Sequence, residues 1–163
     1  MSTATAQSSV ETLAADASML ALGTLNEVQY ADAHLLHTPH WAEYPAERWA
    51  RAIMEEVPAE MAEHLERAWR SIGLQREISG TPGTVAGWPI AHVSTEYVLL
   101  QAQSTLGFEG QLLIRSADPG VLVATFVDYH DLDGQALWER VVPGHLNFVR
   151  ALLEHRAAHV GTL

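Results

Sequence analysis

The sequence predicts an α+β fold in which a curved antiparallel sheet wraps around a long C-terminal helix. Leu112-Leu113-Ile114 and Val121-Leu122-Val123 flank an Asp118-Pro119-Gly120 turn, the signature of a hairpin. A long amphipathic stretch follows from Gly134, with Leu137, Val141, His145, Phe148 and Leu152 on one helical face. Strand-like and helix-like segments are also segregated along the chain instead of alternating, which argues against a parallel α/β sheet.

Taken in order, residues 1–26 are poor in aromatic and charged side chains. They offer few anchors and are expected to form a loosely attached leader with a weak amphipathic helix over 10–22. The domain itself is expected to span 27–160. Residues 28–36 read as the first strand, and residues 37–45, with two prolines and two aromatics, as a loop. Trp49, Ile53 and Met54 then recur on one side of a helix that Pro58 ends. A second helix over 59–72 has Met61, Leu65, Ala68 and Trp69 as its stripe and Gly73 as its stop. A Gly- and Pro-rich connector over 78–89 leads to strands at 90–103, 110–115 and 121–129. Pro143-Gly144 is expected to kink or split the terminal helix.

Composition excludes several chemistries. With no Cys, thiolate nucleophiles, Cys-based zinc sites and iron–sulfur clusters are impossible. All nine basic residues are Arg, so Schiff-base chemistry and a P-loop, both of which need Lys, are excluded as well. A net charge of −11 argues against nucleic acid and anionic membranes as partners. No basic segment precedes the short apolar patch at Met19, Leu20 and Leu22, and no run approaches the roughly 18 apolar residues that span a bilayer. A soluble, cytoplasmic protein is the expectation. At 163 residues the chain is long enough to bury roughly 70% of its unfolded surface around one core.

The element order, together with the segment Ala124-Thr-Phe-Val-Asp-Tyr-His-Asp-Leu-Asp-Gly-Gln-Ala-Leu-Trp and the following Val142-Pro-Gly-His-Leu-Asn-Phe-Val-Arg-Ala-Leu-Leu, resembles the helix-grip superfamily. That superfamily, also called SRPBCC or START-like, includes lipid-transfer START domains, the birch-pollen allergen family and aromatic polyketide cyclases. Within it the chain is most similar to a bacterial family of unknown function, whose final helix starts Pro-x-His-x-x-x-Val-Arg. The resemblance covers about residues 30–156 and is specific only over the last 35 or so. It implies an apolar pocket between sheet and final helix, and it makes 134–142 a separate lead-in helix or turn. Such folds host both carriers and enzymes, so fold alone does not choose between them.

His145 lies within the apolar stripe, where it is either a hydrogen-bonded core residue or a pocket residue that moves a proton. Asp128 and His130 lie two apart at the end of the last strand and share a face with Leu122, Ala124 and Phe126. If that face is concave, a carboxylate and an imidazole line the cavity mouth beside His145, as acid–base catalysis requires. The opposite face, Val123, Thr125, Val127 and Tyr129, is equally apolar, and both assignments stay open. Trp69, Trp88, Trp138, Tyr97, Phe126, Phe148 and Val141 are the apolar side chains expected to meet a ligand, against the alternative of ordinary core packing. Trp88, in the Gly/Pro connector, is a candidate gate. Arg115 and Arg150 are the cations placed to clamp a ligand carboxylate or, more simply, to pair with surface Glu. His34, His37 and His40 recur every third residue, but Pro39 puts them in a loop, so they are read as surface histidines and not as a metal site.

These readings converge on an apolar, aromatic or polyketide-like small molecule held between sheet and helix. Cofactor-independent cyclase, dehydratase or isomerase chemistry is the leading expectation. The alternatives are a carrier or sensor without turnover, and an interaction module that dimerises through a sheet face.

Overall fold

The computed structural model describes residues 9–159. Its seven strands are β1 (Val10–Leu13), β2 (Tyr30–His37), β3 (Thr84–Val85), β4 (Trp88–Val93), β5 (Tyr97–Gln103), β6 (Phe108–Ala117) and β7 (Gly120–Tyr129). They form one antiparallel sheet in the order β1-β2-β7-β6-β5-β4-β3, which is curved but not closed. The α-helices among the described residues are α1 (Ala17–Leu20), α2 (Ala46–Met54), α3 (Ala59–Ser71) and the long α4 (Leu132–Ala158), with one 3-10 turn at Trp41–Glu43. The α+β class, the two helices between the first predicted strand and the rest of the sheet, and the helix that closes the chain all match the expectation.

Strand register decides which residues face the helices. Tyr30, Asp32, His34 and Leu36 of β2 stand opposite Val127, Thr125, Val123 and Val121 of β7. The same rows continue through Gly110, Leu112, Ile114 and Ser116 of β6 and Ala102, Leu100 and Val98 of β5. Because side chains alternate along a strand, all of these point to one face, the one under α2 and α4. Ala33, Leu35, Leu99, Leu113, Leu122, Ala124 and Phe126 belong to the other face and form a separate apolar cluster.

The residues expected as a leader cover that second face. β1 pairs antiparallel with β2, and α1 is capped by Asp16, whose carboxylate accepts the Met19 amide at 3.0 Å. Met19 is buried on the outer cluster, with Leu13, Leu22, Leu25 and Val28 partly buried beside it. Thr24 fastens the segment to the fully buried Gln111: its amide donates to Oε1 at 3.0 Å, and its hydroxyl accepts from Nε2 at 2.7 Å. The segment holds because the outer face is itself apolar, so modest side chains such as Met19 and Leu22 gain burial there. The part of the leader expectation that concerns residues 1–8 lies outside the described residues.

Two further expectations change. The segment over 90–103 is two strands joined by a turn at 94–96, where Ser94 caps the hairpin: its amide donates to the Tyr97 carbonyl at 2.9 Å and its hydroxyl accepts the Tyr97 amide at 3.2 Å. That turn uses no Gly or Pro, so composition did not mark it. α4 is continuous through Pro143, with no separate lead-in helix over 134–142. Proline removes the hydrogen bond to the carbonyl of Glu139, but both residues are exposed, so water can serve that carbonyl. No helix among the described residues is long and apolar enough to cross a membrane.

Candidate functional site

Between the inner sheet face and helices α3 and α4 lies a cavity of about 190 Å³. Its floor includes Gly110, Leu112, Val123, Thr125 and Val127, and its walls include Trp69 of α3, Trp88 of β4, and Trp138, Val141, His145 and Phe148 of α4. Ser71 and Gly144 line it while being exposed to solvent, so it opens between the end of α3 and the middle of α4. The lining is almost wholly apolar, with a few polar groups, the usual character of a small-molecule site.

His145 reaches this wall from the α4 stripe, and its ring is fixed from behind. Nε2 lies 2.9 Å from Oδ2 of Asp32, and the Tyr30 hydroxyl donates to the same oxygen at 2.6 Å. Tyr30 and Asp32 belong to the polar row of β2 that faces α4. Burial pushes the Asp32 carboxyl up, but the hydrogen bond and charge of His145, followed by the Tyr30 hydroxyl, outweigh it and hold the group below the usual carboxylate range. An ionised carboxylate only accepts, so Nε2 of His145 is the donor, and Nδ1 makes no hydrogen bond among the described residues. Burial and then Asp32 raise the Tyr30 phenol far above its ordinary value, which keeps its proton on the oxygen as a donor. Trp138 packs against both rings, 5.0 Å from His145 and 5.4 Å from Tyr30 between centroids.

His34, the next member of the row, is almost completely buried, and its Nδ1 lies 3.9 Å from Oδ1 of Asp32. Burial first, then the charges of Arg150 and His145, hold the His34 ring below the usual imidazole range, with Asp32 opposing them. Neither Asp32 Oδ1 nor His34 Nδ1 has a hydrogen-bond partner although both are sealed from solvent, and the same holds for Thr125 Oγ1 and the indole nitrogens of Trp88 and Trp138. A sealed polar atom without a partner typically costs about 1–3 kcal/mol.

The sequence-predicted residues divide between the two faces. His145, Trp69, Trp88, Trp138, Val141 and Phe148 meet at the cavity. Trp88 is a wall and not a gate: it is buried at the start of β4, edge-on to Trp69 at 5.9 Å. Phe126 and Asp128 take the outer-face register, Phe126 inside the outer cluster, and His130 is exposed beyond the end of β7. The inward-facing residues of β7 are therefore Val123, Thr125 and Val127, which resolves the open choice of faces against an Asp128/His130 pair. Tyr97 and Arg115 oppose each other across β5 and β6, also on the outer face. Arg150 anchors α4 to the edge strand, donating to Thr12 Oγ1 at 2.6 Å. His34 is no surface residue, whereas His37 and His40 are exposed and pair with Glu11 and Glu43, each at 2.6 Å.

Sequence reasoning missed Tyr30, Asp32 and His34 as site residues. The signal was present, since Tyr-x-Asp-x-His at period two is a polar row on one face of a strand. Such a row ordinarily faces water, and only the position of α4 turns it inward. Comparison with models of protein families, with curated proteins and with solved structures finds no match for this chain.

Proposed function

We propose that the protein binds a small, predominantly apolar molecule in the cavity between sheet and α4, and that His145, oriented by Asp32, acts on it as a general acid–base group without a cofactor. The observation that carries this reading is an imidazole at the wall of an apolar cavity whose far nitrogen is held by a buried carboxylate. Carboxylate support fixes the tautomer and stabilises the imidazolium formed when Nδ1 takes a proton. An engineered apolar cavity of about 150 Å³ accepts a benzene-sized guest. A cavity of about 190 Å³ therefore suits a ligand of one or two rings. Substrate proton transfer of the isomerase, dehydratase or cyclase type needs only these groups and a pocket that holds a reactive conformer. Kinship with the START-like superfamily is part of this reading, supported by the curved sheet and long terminal helix, and so is a cytoplasmic location.

A carrier without turnover is the second reading, favoured by how little of the lining is polar. The two separate through His145→Ala and Asp32→Asn. In the enzyme these substitutions lower turnover by about 10²–10⁴-fold and leave ligand affinity nearly unchanged. If they weaken affinity, or change nothing, while no hydrophobic compound is turned over by the unsubstituted protein, the carrier reading stands and the enzyme reading fails.

A further inference from the structure

We propose that His34 is a second imidazole of the site, sharing the Asp32 carboxylate with His145, so that a proton taken up on His34 withdraws carboxylate support from the His145 base. This makes His34 a positioning residue, and its consequence for chemistry rests on the reading of His145 given above. Three observations carry it. Asp32 Oδ2 is occupied by His145 and Tyr30, whereas Oδ1 has no partner. His34 Nδ1, an imidazole nitrogen in need of a partner, lies 3.9 Å from that oxygen and is equally sealed. The two residues are two apart on one strand face, so closing the remaining gap of about 1 Å to hydrogen-bond length needs only side-chain adjustment.

The sealed surroundings leave few competing charges. His34 is flanked in the sheet by Thr12 of β1 and Val123 of β7, neither of which is ionisable. The charged groups that act on it are Asp32 on its own strand, and Arg150 and His145 on α4. With that gap closed, a neutral His34 would donate Nδ1–H to Oδ1 and leave the negative charge available to His145. Protonated, it becomes a second cation on one carboxylate, so the titration of His34 is coupled to the charge of His145. Either imidazolium therefore opposes the other through the one shared carboxylate, and His34 does so without touching the cavity.

Coupling is reciprocal, so it can be read at His34 without any ligand. With ¹³C-labelled histidine, the His34 ring signal is assigned by its disappearance in His34→Gln and followed against pH by NMR. Removing the competing cation with His145→Gln should move the His34 titration midpoint up, and removing the shared anion with Asp32→Asn should move it down. A midpoint unmoved by His145→Gln overturns the proposal, whatever Asp32→Asn does. His145 is partly exposed, so the deciding variant does not depend on tolerance of a core change, and circular dichroism checks the fold. A cavity that takes no ligand would defeat the functional reading while leaving this coupling measurable.

Discussion

Asp32 is the charge on which the site is organised, and its position has a consequence for stability as well as for chemistry. Its folded-state value is depressed, so the stability it contributes is fully present above the ordinary carboxylate range and is lost as pH falls through the depressed value. His34 acts in the same direction at higher pH. Its folded-state value is also depressed, so below the ordinary imidazole value the unfolded chain binds a proton that the folded protein refuses, and stability falls as pH falls. In thermal melts from pH 7 to 3, His34→Gln should flatten the loss of Tm between pH 7 and 5 relative to the unsubstituted protein, whereas Asp32→Asn should change mainly the limb below about pH 4. Equal slopes in all three proteins would show that neither group is held as described. At this scale the sequence was least legible. His145 stood out because an imidazole interrupted an apolar stripe, but its partner was sought on the last strand, at Asp128, two residues from His130. The actual partner lies 113 positions away in the chain, and only the pairing of β2 with β7 under α4 brings it close.

Among the elements, α4 sets the site. It is one helix of 27 residues with Pro143 inside it, and the adjacent Gly144 lies at the cavity mouth, where an added Cβ would meet nothing within 4 Å. Glycine in a helix interior costs about 1 kcal/mol relative to alanine. Gly144→Ala should therefore raise stability by about that amount, read as a Tm increase of about 2–4 °C for a domain of this size. No increase would mean that the helix is not continuous through this point. The boundaries of α2 and α3 and the hairpin of β6 and β7 were readable because Pro58, Gly73 and the Asp-Pro-Gly turn punctuate them chemically. The turn between β4 and β5 and the docking of residues 10–28 were not, since Ser94 and Thr24 act through hydrogen bonds whose partners become visible only in the folded chain.

For the molecule as a whole, the sheet is apolar on both faces and solves the two differently. The outer face is filled by the chain's own N-terminal segment, whereas the inner face is covered by α2, α3 and α4 with space left over. Overall class and helix placement followed from the order of periodic segments. Which face held the space did not, because alternating strands such as β7 are equally hydrophobic on both sides. Gly110 sits on the floor of that space, where a Cβ would meet only Phe126 O at 3.9 Å and Trp88 Cη2 at 4.0 Å, ordinary contacts. A larger side chain there can enter the cavity without displacing backbone, and filling a void while replacing a strand glycine favours the folded state. The direct measurement is calorimetric titration of naphthalene, a two-ring hydrocarbon probe, into the unsubstituted protein and into Gly110→Leu, with Tm recorded for each without ligand. The prediction is binding by the unsubstituted protein that disappears in Gly110→Leu while the ligand-free Tm rises. Absence of binding by the unsubstituted protein, or equal binding by both, would contradict a ligand-sized cavity beside His145.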